Sequence, residues 1–176
     1  MWFPGREAIA GATIVSRFFG NQIVIEPERI DYPLARMVYD YWLSLCHDGR
    51  HPGWADFDLM AIYKAAPFMT VKDVEDAEDG GTEFRNRFFG TGLREVLGFD
   101  GTGKRLSENY SGDALEMVTA ICRQVWESRA VVQSNGRVVW AEDRDFITYS
   151  CLYMPLDGPV AGETTHLVSV FDFNVF

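Results

Sequence analysis

The chain has 176 residues, 47% of them hydrophobic and 14% aromatic, enough for one domain with a sizeable core and far from the composition of a disordered chain. A formal net charge of −10 excludes a nucleic-acid partner and an anionic membrane surface, since both need clustered Lys and Arg. No apolar run reaches the roughly 18 residues that a membrane-spanning helix requires, and the apolar stretch at residues 8–15 has neither the flanks nor the cleavage site of a signal peptide. These points set the expectation of a cytoplasmic protein.

Residues 1–31 form an N-terminal extension in which 13–19 and 22–26 are β-prone, and Gly20-Asn21 between them signals a hairpin. A helix over 7–19 is the alternative there. The spacing predicts a helix over 32–47, with Asp31 able to cap it and Pro33 suited to its first turn. Leu34, Met37, Val38, Tyr41, Trp42 and Leu45 make one apolar stripe, and Ala35, Tyr39, Leu43 and Cys46 make a second. So wide an apolar surface fits burial on two sides, and Tyr39, Leu43 and Cys46 are the candidate homodimer interface.

A loop at 48–53, a short helix at 58–65 and a strand at 68–74 follow, and an acidic turn at 75–81 leads into a second strand from Phe84. Gly90 and Gly92 bracket the change to a short helix at 93–97, and a positive φ is expected at one of them. A glycine-punctuated loop at 98–103 precedes a long helix opened by Ser111, with Leu115, Val118, Thr119, Cys122, Val125 and Trp126 on one face and Trp126 largely buried. Strands are expected at 130–133, 137–140, 145–153 and 165–173. Two turns compete between them; 141–144 gives the longer matched strands, and Asn135-Gly136 then reads as a bulge. The order specifies an α+β fold, an antiparallel sheet with flanking helices on one side and a leading N-terminal helix.

Several residue groups invite a chemical reading. Asp56 and Asp58 flank Phe57 before a helix, which suits capping better than acid–base work. Cys46 and His47 are adjacent on a helix and diverge by about 100°, so they cannot pair as nucleophile and base. The loop at 98–103 lacks the Gly-Lys-Ser/Thr ending of a phosphate loop. Arg85 and Arg87 are either an exposed sheet face or meet an acidic partner such as Glu142 or Asp145. Phe88, Phe99, Trp126, Tyr149 and Tyr153 are either core or the lining of a ligand pocket. Cys46, Cys122 and Cys151 are too widely spaced for a zinc site or disulfide framework and read as buried thiols in a reducing compartment.

Tyr41-Trp42, then Ala55-Asp56-Phe57-Asp58, then Phe84-Arg85-x-Arg87-Phe88-x-Gly90-Thr91, then Gly98-x-Asp100-x-Thr102-Gly103-Lys104-Arg105-Leu106, and finally Met154-Pro155-Leu156 occur in an order that resembles the PAS superfamily. More narrowly, they resemble its stand-alone bacterial PAS-like family, described mostly from alphaproteobacteria. The resemblance spans about residues 33–173; residues 1–31 have no counterpart, and the Ile-Pro-x-Leu-Leu-Pro type run of the family here reads Ala61-Ile62-Tyr63-Lys64-Ala65-Ala66-Pro67. It implies a PAS-like domain over 32–176, a five-stranded sheet cupping a pocket, and a sensory role through a small ligand and a partner signalling protein. It implies no fixed cofactor: His47, His51 and His166 are not at haem-ligating positions. A ligand-free interaction module and a small cup-shaped α+β enzyme are the alternatives. Nothing in the residues themselves names a cofactor.

Overall fold

The computed structural model of the chain describes residues 20–24, 30–137 and 147–175. Its centre is an antiparallel sheet built from β2 (Met69–Asp76), β3 (Thr82–Phe89), β4 (Val132–Arg137), β5 (Ile147–Asp157) and β6 (Thr164–Val175). A further strand, β1 (Gly20–Val24), lies outside β4, and the spatial order is β1-β4-β5-β6-β2-β3. The five strands expected for a PAS-like α+β fold are therefore present, and a sixth extends the sheet at its β4 edge.

Period-two alternation gives the sheet two apolar faces. Tyr149, Cys151 and Tyr153 of β5 and Leu167 and Phe171 of β6 point to one face. There they meet α2 (Thr91–Leu97), α3 (Leu106–Asn109) and α4 (Gly112–Ser128), which contributes Met117, Val118, Ile121, Cys122 and Val125. Leu152, Met154 and Leu156 of β5 and Val168 and Val170 of β6 point the other way. They are covered by α1 (Pro33–Leu45) and by three short 3-10 segments between Trp54 and Phe68, in place of the single short helix expected over 58–65.

The leading helix is anchored by the sheet. Asp31 does not cap it: the N-cap residue is Tyr32, without a side-chain bond. Asp172 of β6 takes the role, its Oδ2 accepting from Ala35 N at 3.1 Å. A carboxylate there also faces the positive end of the helix dipole. Trp42 Nε1 donates to Pro155 O at 2.9 Å, tying the far half of α1 to β5. Ala35, Val38, Tyr39 and Trp42 form the buried line of the helix, so the two expected stripes merge into one core contact with half-buried flanks.

Several local expectations change. Gly20-Asn21 is no hairpin link: Gly20 pairs with Gly136 and Asn21 with Asn135, inside one strand. Asn135-Gly136 is no bulge either, because β4 runs in register with β5 through Asn135–Ser150 and Gly136–Tyr149. Its ladder bonds on both sides outweigh the turn propensity of the dipeptide. The β-prone run at 13–19, the strand end at 138–140 and the turn at 141–144 lie outside the described residues. Ser111 is at the N-cap position of α4, though with no side-chain cap bond. Trp126 is only half-buried, at the rim of the inner core, because the buried stripe of α4 passes through Ile121, Cys122 and Val125 instead.

Gly90 and Gly92 are glycines for space and not for dihedral angle. Gly90 has φ −62°, and neither residue is among the positive-φ glycines. A Cβ on Gly90 would stand 2.2 Å from Pro67 O, and one on Gly92 would stand 2.7 Å from the Phe68 ring. Gly98, which ends α2 with φ 81°, is the position where the left-handed region is needed. Gly90→Ala is expected to lose about 1–3 kcal/mol or more in urea denaturation, since backbone is what it strikes. Gly92→Ala should lose less, because a ring can shift; equal stability of Gly90→Ala and the wild type would contradict this packing.

Candidate functional site

The inner face of the sheet and α2–α4 enclose a small cavity. Its apolar wall includes Phe89, Leu93, Leu97, Met117, Val118, Ile121 and Phe171, and its free volume is about 10 Å³, the space of about one water. Its polar wall is unusual. Met69 and Val71 take the outer face of β2, so Thr70 and Lys72 are turned inward. Lys72 is 4% exposed. Its Nζ donates to Thr70 Oγ1, which also shares a hydrogen bond with Ser169 Oγ at 2.6 Å. The same Nζ stands 5.9 Å from the centre of the Tyr153 ring.

Among the described residues, no carboxylate lines this cavity. Burial therefore pushes the Lys72 amine below the ordinary lysine range, and no acidic neighbour reverses it. Cys122 is pushed up to about 11 and Tyr149 to about 12, again by burial; Cys151, Tyr110 and Tyr153 move in the same direction. Neutral thiols and phenols are thus the resting forms, and neither cysteine is an activated nucleophile.

Asn86 lies directly across the β2–β3 ladder from Lys72. It is 1% exposed, and neither Nδ2 nor Oδ1 has a hydrogen-bond partner. Its backbone is fixed by Lys104 O, which accepts from Asn86 N, and by Gly103 N, which donates to Asn86 O. The glycine loop at 98–103 thus closes against β3, and a Cβ on Gly101 would strike Phe89 and Asn86.

The structure separates the five aromatic candidates. Tyr149 and Tyr153 line the cavity. Phe99 stands one layer behind, against Phe89 at 5.6 Å and Tyr110 at 5.7 Å. Phe88 packs in the outer core, because β3 is irregular opposite Val71 and Lys72 and turns Phe88 away from the cavity. Trp126 is at the rim of the inner core and does not line the cavity. Lys72, Thr70, Asn86 and Ser169 were not singled out from the sequence. A lysine or asparagine in a strand reads as solvent-facing, although Met69 and Val71 alternating with Thr70 and Lys72 carried the signal.

A second polar cluster joins the two layers at the end of β5. Arg129, the αL residue after α4, places Nη1 3.0 Å from Asp157 Oδ1 and Nη2 3.2 Å from Asp157 Oδ2. It also reaches Thr164 Oγ1 at 3.1 Å and His51 Nδ1 at 3.3 Å. His51 lies against Trp42 of α1, ring centres 5.1 Å apart. Burial, and then Arg129, hold His51 below the ordinary histidine value. Cys46 donates to Trp42 O at 3.4 Å and is pushed up to about 11 by burial, so it is no partner for His47.

The remaining candidates have structural partners. Asp58 Oδ1 accepts from Met60 N and Asp56 Oδ2 from Gly53 N, which is capping. Arg85 and Arg87 pair across the strand with Glu75 and Asp73 of β2, at 2.8 and 2.7 Å. Glu142 and Asp145, suggested as their partners, lie outside the described residues. Among the described residues no cluster of His, Cys, Asp or Glu is arranged to hold a metal ion, and no helix is long and apolar enough to cross a membrane.

No known protein-family profile and no curated protein sequence matches the chain. Among solved structures it is similar to a PAS-B domain of Drosophila melanogaster Cycle, a variant with bound glycerol, at 12% identity and TM-score 0.42 over 61% of this chain and 99% of that one. It is also similar to an RNA-binding light-oxygen-voltage receptor, at 18% identity and TM-score 0.44 over 65% of this chain; the matched part is 33% of that receptor. The PAS-like fold is read here from the sheet order β4-β5-β6-β2-β3 and the helices laid across its inner face.

Replacing Lys72 by Met keeps the length of the side chain and removes the buried amine. The variant is expected to gain about 1–3 kcal/mol, the scale of an incompletely satisfied buried polar group. A lysine whose folded value is depressed destabilises most at and below that value; between the folded and unfolded values folding expels a proton, and the effect fades as pH rises toward the unfolded value near 10.5. The advantage of Lys72→Met in urea titrations should therefore be largest at neutral pH and shrink above it. An advantage that grows with pH would contradict the burial of a free amine.

Proposed function

We propose that this chain is a non-enzymatic sensory module of a PAS-like, alphaproteobacterial type, which holds a small molecule between its inner sheet face and α2–α4 and passes the signal to a partner protein in the cytoplasm. The carrying observation is Asn86: a fully buried carboxamide with both polar atoms unpartnered, facing a buried lysine across one ladder. Native cores pair such groups, and an orphan beside a cavity fits a ligand-binding role. Tyr149 and Tyr153 would contact the ligand; Phe99 would support the wall through Phe89. Neutral thiols in the cavity wall and core favour binding over nucleophilic catalysis. The unpaired cysteines accord with a reducing compartment.

A second reading is a ligand-free interaction module, favoured by the free volume of only about 10 Å³. Native mass spectrometry of the gently purified chain separates the two. A bound mass lost on mild activation supports the sensor; a bare chain under all conditions supports the module.

Self-association through α1 belongs to the same proposal, in revised form. Tyr39 is 5% exposed within the single chain, so it has no surface to give a partner. Leu43 and Cys46 are half-buried and remain the interface candidates, with Met37 beside them. Leu43→Glu is expected to shift a dimer to monomer in sedimentation at micromolar concentration without unfolding the chain. A wild type that is monomeric at high micromolar concentration removes this part of the proposal.

A further inference from the structure

We propose that the ligand of the inner cavity is a short-chain monocarboxylate, held between Lys72 and Asn86. The inference rests on the sensor reading above and names the chemistry of the same site. Lys72 is the one cation in the lining, and no anion answers it. Asn86 Nδ2 offers an unused N–H donor, and Asn86 Oδ1 an unused acceptor. The two residues are direct cross-strand partners, so their side chains leave the sheet side by side on the inner face, where one carboxylate can meet both. The Thr70–Ser169 hydroxyl pair, already bonded to Lys72, fixes the amine in place.

The rest of the lining sets what is attached to the carboxylate. Leu93, Leu97, Val118 and Ile121 are apolar and accept a hydrocarbon tail. A dicarboxylate would leave its second charge among them unpaired, which is expensive in such surroundings. A phosphate or sulfate carries more charge than the one lysine in the lining answers. The small free volume limits the tail to a few carbons. Met117, unbranched and the most adaptable side chain of the wall, is the group that moves to admit it.

Binding of this class has a thermodynamic mark that a neutral ligand lacks. Burial lowers the proton affinity of the amine while it is alone, and an anion beside it favours the ammonium form. A carboxylate therefore raises that affinity again, and its binding draws in whatever fraction of a proton the amine lacks. Affinity should fall as pH rises, by up to about tenfold per pH unit where one full proton is taken up.

Isothermal titration of the full chain with sodium formate, acetate, propionate and butyrate tests this, run in buffers of different ionisation enthalpy at about pH 6.5 and about pH 8. The amides of the same acids are the uncharged comparison. Expected are saturable binding of at least one acid, proton uptake, weaker binding at the higher pH and no binding of its amide. Lys72→Met, checked as folded by circular dichroism, should lose the acid at least tenfold. Asn86→Leu should weaken it less and retain the proton uptake. Equal binding of acid and amide, or undiminished binding by folded Lys72→Met, overturns the carboxylate while leaving the sensor reading intact. A neutral molecule found bound by native mass spectrometry does the same. No binding of any acid, together with a chain that is always bare, overturns both.

Discussion

The ladder between β5 and β6 is the constraint on which both layers depend. It pairs Ile147 with Val175 at one end and Asp157 with Thr164 at the other, and it is buried on both faces for most of that length. A strand covered on one side can leave polar side chains to water on the other; on these two, polar groups such as Ser169 and Asp172 need partners within the protein. Every inward residue must suit α4, and every outward residue must suit α1. The inner core thus holds the aromatics of β5 and β6 and the thiol of Cys151, while what these strands give the outer core is aliphatic, Leu152, Met154, Leu156, Val168 and Val170. Position along the ladder then fixes what else each layer can hold. Ser169 is opposite both Tyr153 and Thr70, so the one hydroxyl on the inner face of mid-β6 is beside the one buried amine.

That amine is the least expected feature of the inner layer. Close packing around Lys72 leaves it one bond through Thr70 and the face of an aromatic ring. A core optimised for stability alone would place an aliphatic residue there, as it does at Met69 and Val71 on the reverse side of the same strand. The polar atoms of Asn86 opposite add a second local defect of the same kind. Two neighbouring defects in an otherwise well-filled layer concentrate the polarity of the interior at one point, where functional sites typically carry such departures from good packing.

Much of this fold was legible because burial enforces period. The two long helices, the β2–β3 hairpin and the β-rich final third follow from spacing, and the antiparallel α+β class follows from their order. Errors arose where tertiary contacts override local preference. Asn135-Gly136 has the composition of a turn, but strands on both sides use its backbone. Asp31 is at a natural capping position, yet Asp172, distant in sequence, takes the bond. Gly90 looked like a dihedral requirement and is a steric one, set by the Pro67 carbonyl. The site was the least legible part. Aromatic residues drew attention to the inner face, and Tyr149 and Tyr153 do line it. Lys72 and Asn86 did not stand out, because a charged or amide side chain in a strand reads as solvent-facing; only the alternation with Met69 and Val71 marks Lys72 as turned to the other buried face.

The sixth strand has a practical bearing on how the chain can be shortened. β4 has β5 on one side and β1 on the other, so the backbone groups of Val132 to Gly136 are occupied along both edges. A shortened chain beginning at Pro33, where the family resemblance starts, would keep most of both cores, losing Ile30 and Tyr32 from the outer one, and would strip one side of β4 bare. Row upon row of free amides and carbonyls would then face solvent, beside a segment rich in Val and Gln, and such an edge recruits the strands of other molecules. Insolubility of a trimmed chain would therefore reflect a missing neighbour for β4, and restoring the residues up to Gly20, not altering the interior, would be the remedy.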